Sequence, residues 1–178
     1  MDRKREAGIP KKKGSSILKK ALAIDNSRCT GCRNCELACS VEHTQTFNPR
    51  RSRIQVLKKE KRDIIMPVVC LQCENPLCQE ACPTGAIHRN EEEILTVNPN
   101  SCIGCGNCVN ACIYGGIAID PITLKAIKCD LCGGNPACVE ACEYDAISVV
   151  TLDGDGLRER AQGVGDLAKK YGLVREEA

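Results

Sequence analysis

Short apolar segments alternate with polar turns along most of the chain. Segments of this kind, rich in Val, Ile and Leu and bounded by Gly, Pro, Asn or Asp, are typical of β-strands. The strand candidates are residues 22–24, 53–57, 64–69, 94–97, 117–119, 123–128 and 147–150. A charged segment at 58–62 and an Asp-Pro dipeptide at 120–121 each separate two candidates, which predicts two β-hairpins. None of the apolar segments is long enough to cross a membrane as a helix.

The two ends of the chain differ from its middle. Residues 1–20 carry eight basic and two acidic side chains, which is typical of a solvated arm or of an arm that binds an acidic partner surface. Residues 153–178 lack cysteine, and their apolar positions near helical spacing predict a capping helix, a frayed tail or a docking helix. These positions are Leu157, Ala161, Val164, Ala168 and Tyr171. We expect a basic extension at 1–20, a folded domain at 21–152 and a C-terminal extension at 153–178.

Cysteine is abundant in the chain and aromatic residues are scarce. Sixteen of the 178 residues are cysteine, while there is no Trp, one Phe and three Tyr. Large aromatic side chains usually supply much of the area that a protein core buries. We therefore expect cysteine-bound inorganic cofactors to fill the centre of this domain.

All sixteen cysteines fall into four motifs of four, with none left over. The motifs are Cys29, Cys32, Cys35 and Cys39 (motif I); Cys70, Cys73, Cys78 and Cys82 (motif II); Cys102, Cys105, Cys108 and Cys112 (motif III); and Cys129, Cys132, Cys138 and Cys142 (motif IV). Motifs I and III have the C-x2-C-x2-C-x3-C spacing of bacterial ferredoxins. Motifs II and IV lengthen the middle gap to four and five residues, and this alternation indicates a duplicated two-motif unit.

The spacing suits [4Fe–4S] clusters better than other uses of thiols. Structural zinc sites usually place two C-x2-C halves well apart, whereas here four cysteines follow one another closely. Three thiolates on one tight loop can reach three corners of a cubane, and Gly31 and Gly104 permit the unusual dihedral angles of such a loop. The fourth cysteine of a motif lies beyond a helical turn and binds the other cluster of a pair. We therefore expect four [4Fe–4S] clusters.

Two pairings of the motifs are compatible with the spacing. Sequential pairing joins motif I with II and motif III with IV. The alternative is an inner pair, motifs II and III in residues 66–120, and an outer pair, motifs I and IV in residues 21–65 and 121–152. On the second reading the ligand sets are Cys29, Cys32, Cys35 and Cys142 (cluster 1); Cys129, Cys132, Cys138 and Cys39 (cluster 2); Cys70, Cys73, Cys78 and Cys112 (cluster 3); and Cys102, Cys105, Cys108 and Cys82 (cluster 4).

Other features of the sequence bear on the cellular location and on the roles that cysteine, basic and histidine residues can have. The basic N-terminus has no uninterrupted apolar h-region, so we expect a cytoplasmic location unless a partner subunit carries an export signal for both. A reducing cytosol disfavours a disulfide framework. The basic residues have no aromatic stacking platform among them, which argues against nucleic-acid binding. His43 and His88 are expected to be polar surface residues, because cysteines already complete every cluster.

The residues from Cys29 to Val150 resemble the iron–sulfur subunits of the dimethyl sulfoxide reductase family, four-cluster proteins that accompany molybdenum and tungsten oxidoreductases. Five segments look more narrowly like the small subunit of tungsten aldehyde ferredoxin oxidoreductases: Cys29-Thr-Gly-Cys32, Glu36-Leu-Ala-Cys39, Ser52-Arg-Ile54, Cys70-Leu-Gln-Cys73 and Lys128-Cys-Asp-Leu-Cys132. The resemblance implies the inner and outer pairing. It also implies an α+β fold of two ferredoxin-like halves related by a pseudo-twofold, with short hairpins and short helices around the clusters.

The resemblance further implies a non-catalytic subunit that carries electrons in anaerobic metabolism. The expected partner is a larger tungsten- or molybdenum-pterin enzyme, best matched by an aldehyde oxidoreductase. A flavin- or NAD-linked subunit or a ferredoxin would be the second partner, and a homo-oligomer is an additional expectation. Alternatives are a free polyferredoxin, the electron subunit of a hydrogenase, formate or carbon monoxide dehydrogenase, and an iron–sulfur sensor.

Overall fold

The computed structural model describes residues 19–59 and 64–153. The basic extension up to residue 18, the residues 60–63 and the C-terminal extension from 154 lie outside the described residues, and so does the helix expected around Leu157–Tyr171. The boundaries of the three predicted segments therefore stay a prediction.

Eight short strands form four antiparallel pairs in the described residues. They are β1 (Lys20–Ile24), β2 (Ile54–Lys59), β3 (Ile64–Val69), β4 (Ile87–Arg89), β5 (Leu95–Val97), β6 (Ile117–Ile119), β7 (Ala126–Lys128) and β8 (Ile147–Thr151). Both predicted hairpins are confirmed, as β2–β3 and β6–β7. Strand β4, which pairs with β5, was not predicted, and β2 continues through Lys58 and Lys59, which had been assigned to the turn.

The first and last described strands pair with each other. Ile24 in β1 lies opposite Ile147 in β8, and Lys20 lies opposite Thr151. This pairing brings the beginning and the end of the domain together. It also places the segment that leads into motif I beside the segment that leaves motif IV.

Four helices lie within the cysteine motifs: α1 (Asn34–Thr44), α2 (Leu77–Glu80), α3 (Asn107–Ala111) and α4 (Ala137–Glu140). The third cysteine of each motif is in the first turn of its helix. After the fourth cysteine of motifs II, III and IV the chain makes the same turn, in which the N–H groups of Gly85, Gly115 and Asp145 donate to the carbonyl oxygen of that cysteine at 3.2–3.3 Å. This repeated geometry agrees with a duplicated motif.

Two hydrophobic cores organise the described residues, and neither contains an aromatic side chain from this part of the chain. The first core contains Leu22, Ile54, Val56, Leu131 and Ile147, and five of its twelve buried residues are cysteines. The second core contains Ala86, Ile87, Leu95, Ile117 and Ala126, and three of its eight buried residues are cysteines. The protein is thus a small α+β fold of short strands and short helices, as predicted, with the cysteines built into its cores. None of the helices in the described part of the chain has the length and apolar character needed to cross a membrane.

Candidate functional site

The sixteen cysteines are all free thiols, and the fold gathers them into four groups. One cavity of about 330 Å³, counting the space open to solvent, is lined by Cys29, Cys32, Cys35 and Cys142. We call this group site 1. It combines the first three cysteines of motif I with the fourth cysteine of motif IV, because the pairing of β1 with β8 brings the two motifs together.

Two further cavities join motifs II and III in the same crossed manner. A cavity of about 640 Å³ is lined by Cys70, Cys73, Cys78 and Cys112, which we call site 3. A cavity of about 320 Å³ is lined by Cys82, Cys102, Cys105 and Cys108, which we call site 4. In each of these cavities the fourth cysteine of one motif completes a set whose other three members come from the other motif.

The remaining four cysteines are Cys39, Cys129, Cys132 and Cys138, which we call site 2. Cys39, Cys129 and Cys138 are buried together in the first core. Cys132 lies between Cys129 and Cys138 in the 3-10 turn Leu131–Gly134 and completes the set. Burial is the main cause that raises the pKa of Cys132, and a charge on Cys39 raises it further. The four groups have the same members as the sets expected from the inner and outer pairing, and which cluster each cysteine binds stays a prediction.

Each of the four sites adjoins the next in the order site 1, site 2, site 3 and site 4, and we call this succession of neighbours the row. Cys35 of site 1 and Cys138 of site 2 share the first core, and a charge on the former would raise the pKa of the latter. Cys70 of site 3 and Cys129 of site 2 also share the first core. Burial is the main cause that raises the pKa of Cys129, and a charge on Cys70 raises it further. Site 4 shares the second core with Cys78 of site 3.

Solvent exposure differs between the ends and the middle of this row. Cys32 in site 1 and Cys105 in site 4 are the exposed cysteines, whereas sites 2 and 3 contain only buried or half-buried ones. One end of the row therefore belongs to the outer pair and the other end to the inner pair.

A backbone N–H group donates to one sulfur in every site. The donors are Ala146 to Cys142 (3.3 Å), Arg53 to Cys39 (3.3 Å), Gln72 to Cys70 (3.4 Å) and Ala126 to Cys102 (3.4 Å). Two of the tight loops depend on glycine as predicted, since Gly31 and Gly104 both have φ of 72°. N–H groups turned toward sulfur stabilise the negative charge that cluster-bound thiolates carry.

Burial controls the chemistry of the thiols themselves. It raises the pKa of Cys35 and of Cys129 to about 12 and the pKa of Cys78 to about 11. These thiols keep their protons at neutral pH unless a strongly positive group binds them, because a lone thiolate is poorly solvated there. Four convergent cysteines with N–H donors and apolar walls fit a [4Fe–4S] cubane at each site.

His43 contradicts its prediction as a surface residue. Its side chain is only 14% exposed, and its Nε2 lies 3.5 Å from Cys132 Sγ and 3.5 Å from Asp130 Oδ1. The three groups are close enough to one another to hold a metal ion, but Cys132 is already a member of site 2. His43 is therefore a neighbour of site 2. His88 is exposed, as predicted.

Charged residues beside the sites were also not identified from the sequence. Arg53 forms an ion pair with Asp130 next to site 2, and Lys128 lines the cavity of site 3. Glu36 is buried beside Cys35, where its Oε1 accepts the N–H of Val56 at 2.6 Å. Glu36 and Lys128 each stand directly next to a cysteine in the sequence. That adjacency was the only sequence signal that could have identified them as neighbours of a site.

Family models match the residues that contain the four cysteine motifs. Two family models, both described as 4Fe-4S dicluster domain, match residues 62–152 and residues 28–87. The first match alone covers slightly more than half of the chain, and the two together include all four motifs.

Individual relatives are named as subunits of redox enzymes. The chain is 41% identical over 91 residues to the aliphatic sulfonate oxidoreductase polyferredoxin-like subunit of Pyrococcus furiosus, covering 51% of this chain and 52% of that protein. It is 37% identical over 93 residues to the thiosulfate reductase electron transfer subunit of Salmonella typhi, covering 49% and 48%. The chain spans about half the length of the curated relatives it matches.

A solved structure of the benzoyl coenzyme A reductase active site complex is also similar, with 27% identity, a TM-score of 0.47 and coverage of 87% of this chain and 92% of that chain. The two family matches and the four cysteine groups lead to one conclusion. The chain belongs to the 4Fe-4S dicluster domain family and is an iron–sulfur protein with four [4Fe–4S] clusters.

Proposed function

We propose that this chain is an electron-transfer subunit that relays single electrons through its four clusters between a partner oxidoreductase and a second redox carrier. The observation that carries the proposal is the row of four cysteine sites with one exposed cysteine at each end, Cys32 and Cys105. A relay needs a place of entry and a place of exit, and it needs shielded positions between them.

The ligand sets we propose are the members of sites 1 to 4. When bound, the clusters supply reversible acceptance and release of one electron each. The residues of the chain hold the sites at fixed separations, exclude water with the apolar cores and offer N–H groups to the sulfurs. These contacts adjust the potentials, because hydrogen bonds, nearby charge and exposure decide the reduction potential of a cluster. Catalysis belongs to the partner.

For the partner, we propose a tungsten- or molybdenum-pterin enzyme, with an aldehyde oxidoreductase as the first choice. The support is the resemblance of the Cys29 to Cys39 and Lys128 to Cys132 segments to the small subunit of tungsten aldehyde ferredoxin oxidoreductases. The relatives from Pyrococcus furiosus and Salmonella typhi are named as subunits of oxidoreductases, which supports a role within a larger enzyme. A ferredoxin or a flavin- or NAD-linked subunit is the proposed second partner, and the cytoplasm is the proposed location.

Affinity capture from the native host tests the role as a subunit. A tagged copy of the chain, isolated without oxygen, is expected to bring down one large redox protein in constant ratio, and metal analysis of the complex is expected to find tungsten or molybdenum. A chain that elutes alone after dilution, with all clusters reducible, would instead be a free polyferredoxin. Recovery with a hydrogenase would replace the proposed partner but keep the relay.

Reciprocal cysteine substitutions test the ligand sets. Cys39→Ser is expected to perturb the cluster held by Cys129, Cys132 and Cys138, and Cys142→Ser the cluster held by Cys29, Cys32 and Cys35. EPR and Mössbauer spectroscopy compare each variant with a second substitution in the same proposed ligand set. Cys39→Ser is compared with Cys132→Ser, and Cys142→Ser with Cys29→Ser. If Cys39→Ser matches Cys29→Ser rather than Cys132→Ser, each motif binds its own cluster and the crossed ligand sets are wrong.

A further inference from the structure

Lys128 is a buried cation between two of the cysteine sites. It is the last residue of β7 and is only 2% exposed. Its side chain lines the cavity of site 3 together with Cys70, Cys73, Cys78 and Cys112. Its Nζ donates to the carbonyl oxygens of Leu95 and, at 3.4 Å, of Cys129 in site 2.

No carboxylate balances this charge in the described part of the chain. The other buried ionic groups there are paired: Asp120 with Arg51, and Glu36 with Arg33. Lys128 forms no such ion pair among the described residues, and carbonyl oxygens are its hydrogen-bond partners. An ammonium group removed from water without a counter-charge is very unfavourable. The position therefore calls for a negative group other than a carboxylate of the described residues.

A cluster in site 3 would supply that negative charge. Four thiolates outweigh the charge of an oxidised [4Fe–4S] core and leave the site at about −2. Lys128 lines the cavity of this site together with all four of these cysteines, which places its side chain beside the cluster. Reduction adds one more negative charge to the cluster, so a fixed cation beside it favours the reduced state.

We propose that Lys128 is the buried counter-ion of the cluster in site 3 and that its charge makes the reduction potential of this cluster more positive. This inference rests on the proposed ligand set Cys70, Cys73, Cys78 and Cys112. We expect a smaller effect on site 2, because the hydrogen bond of Lys128 there goes to the carbonyl group of Cys129 rather than to a sulfur. An interior cluster that holds an electron more readily than it would otherwise is a resting position inside the relay.

Substitution of Lys128 in the complete, cluster-loaded chain tests the proposal. Lys128→Gln removes the charge and keeps an N–H donor for the two carbonyl groups, Lys128→Met removes both, and Lys128→Arg keeps the charge. Lys20→Met makes the same neutralising change at an exposed position of β1 and is the matched control. The measurement is a redox titration followed by EPR, with iron counted in every preparation. Cys78→Ser identifies which signal belongs to site 3.

The expected result is a shift of the site 3 potential to a more negative value in the Gln and Met variants. The other three potentials move less, and the Arg and Lys20→Met variants stay close to the unsubstituted protein. If the neutral variants lose the site 3 cluster while Lys128→Arg keeps it, the charge is needed to hold the cluster, which also supports the proposal. An unchanged site 3 potential in Lys128→Gln overturns it, and so does equal loss of the cluster from the Gln, Met and Arg variants.

Failure of the ligand set gives a different result. If Cys78→Ser disturbs the cluster that Cys102, Cys105 and Cys108 hold, the grouping is wrong whatever Lys128 does. Suppose instead that the unsubstituted protein has its full iron content and that Cys78→Ser affects only the cluster of site 3. The grouping then stands, and the Lys128 variants decide the role of the charge.

Discussion

The guanidinium group of Arg51 donates three hydrogen bonds of 2.8–3.2 Å to the carboxylate of Asp120. Arg51 lies in a 3-10 turn that follows α1, between motifs I and II, and Asp120 closes the β6–β7 hairpin, between motifs III and IV. Both side chains are largely buried, at 13% and 5% exposure. The ion pair therefore ties the two halves of the domain together across 69 residues of sequence.

Loss of this ion pair should loosen the protein around its clusters. We expect Asp120→Asn and Arg51→Ala to lose their visible absorbance at lower guanidinium concentration than the unsubstituted protein, because each change leaves a largely buried partner unpaired. Arg50→Ala, at the exposed neighbouring arginine, is the control and should have little effect. The double variant Arg51→Ala/Asp120→Asn should be less destabilised than the two single effects added together. Strict additivity would contradict a direct coupling.

The pH dependence of this effect follows from the pKa of Asp120. The hydrogen bonds from Arg51 lower it to about 2, below the ordinary value of about 3.9. A lowered folded-state pKa stabilises the protein above the unfolded-state pKa, and this contribution is lost as the pH falls toward the folded-state value. The difference between Asp120→Asn and the unsubstituted protein should thus be constant across the neutral range. A difference that changes with pH there would point to another titrating group.

Two glycines of one loop should respond unequally to alanine. Both Gly104 and Gly106 have positive φ, so alanine costs about 1–2 kcal/mol of backbone strain at either position. At Gly104 the new Cβ would also lie 2.3 Å from the carbonyl oxygen of Leu124, whereas at Gly106 it would meet nothing within 4 Å. We expect Gly104→Ala to displace the loop that carries Cys102 and Cys105. The variant protein should then bind about four fewer iron atoms, the content of one cluster.

Iron and sulfide analysis of anaerobically purified protein measures this loss. Gly106→Ala is the matched control and should keep its full cluster content. EPR should assign the missing cluster of Gly104→Ala to site 4. Equal iron content in the two variants would mean that the Leu124 segment moves aside without cost.

The contact of His43 with Cys132 should adjust the potential of site 2. A thiolate sulfur and a carboxylate oxygen only accept hydrogen bonds, and both lie 3.5 Å from His43 Nε2, so this nitrogen must carry the proton. Burial lowers the pKa of His43, while the carboxylate of Asp130 raises it. Removing an N–H···S donor destabilises the reduced cluster, so His43→Leu should make the site 2 potential more negative.

Redox titration and the proton couplings of the cluster in deuterium-exchanged samples give two independent measurements of this bond. One exchangeable coupling should disappear in His43→Leu. His88→Leu makes the same change at the exposed histidine and should alter neither measurement. A site 2 potential that is identical in the two variants would show that the contact has no electronic role.

Removal of the clusters should unfold the domain. Cysteines make up much of both cores, and Lys128 would lose the negative charge proposed to balance it. Metal-dependent domains of this kind draw their folding free energy from the metal. After iron chelation we expect no cooperative thermal transition by circular dichroism, and recovery after iron and sulfide are added back. A chelated chain that still melts cooperatively would show that the apolar cores suffice.

Local spacing determined much of this protein from its sequence alone. The four motifs place three cysteines of each on one tight loop, and Gly31 and Gly104 indicated the positive φ that those loops adopt. Both hairpins could be predicted from alternating apolar segments and a turn, because their partners are close in sequence. Strand β4 escaped prediction because only three residues form it, and its pairing with β5 rather than its composition makes it a strand.

Tertiary structure decided which cysteines from distant motifs lie together and which side chains are buried between distant segments. Spacing allowed two pairings of the motifs, and only the folded chain shows Cys142 beside Cys29 and Cys39 beside Cys129. Burial of His43 and Lys128 was equally invisible, because each is surrounded by segments that lie far away in sequence. The exposure of Cys105 places one end of the row in the pair that is innermost in sequence. Order along the chain sets which sulfurs share a loop, but packing between loops sets which sulfurs share a site and which of them reach solvent.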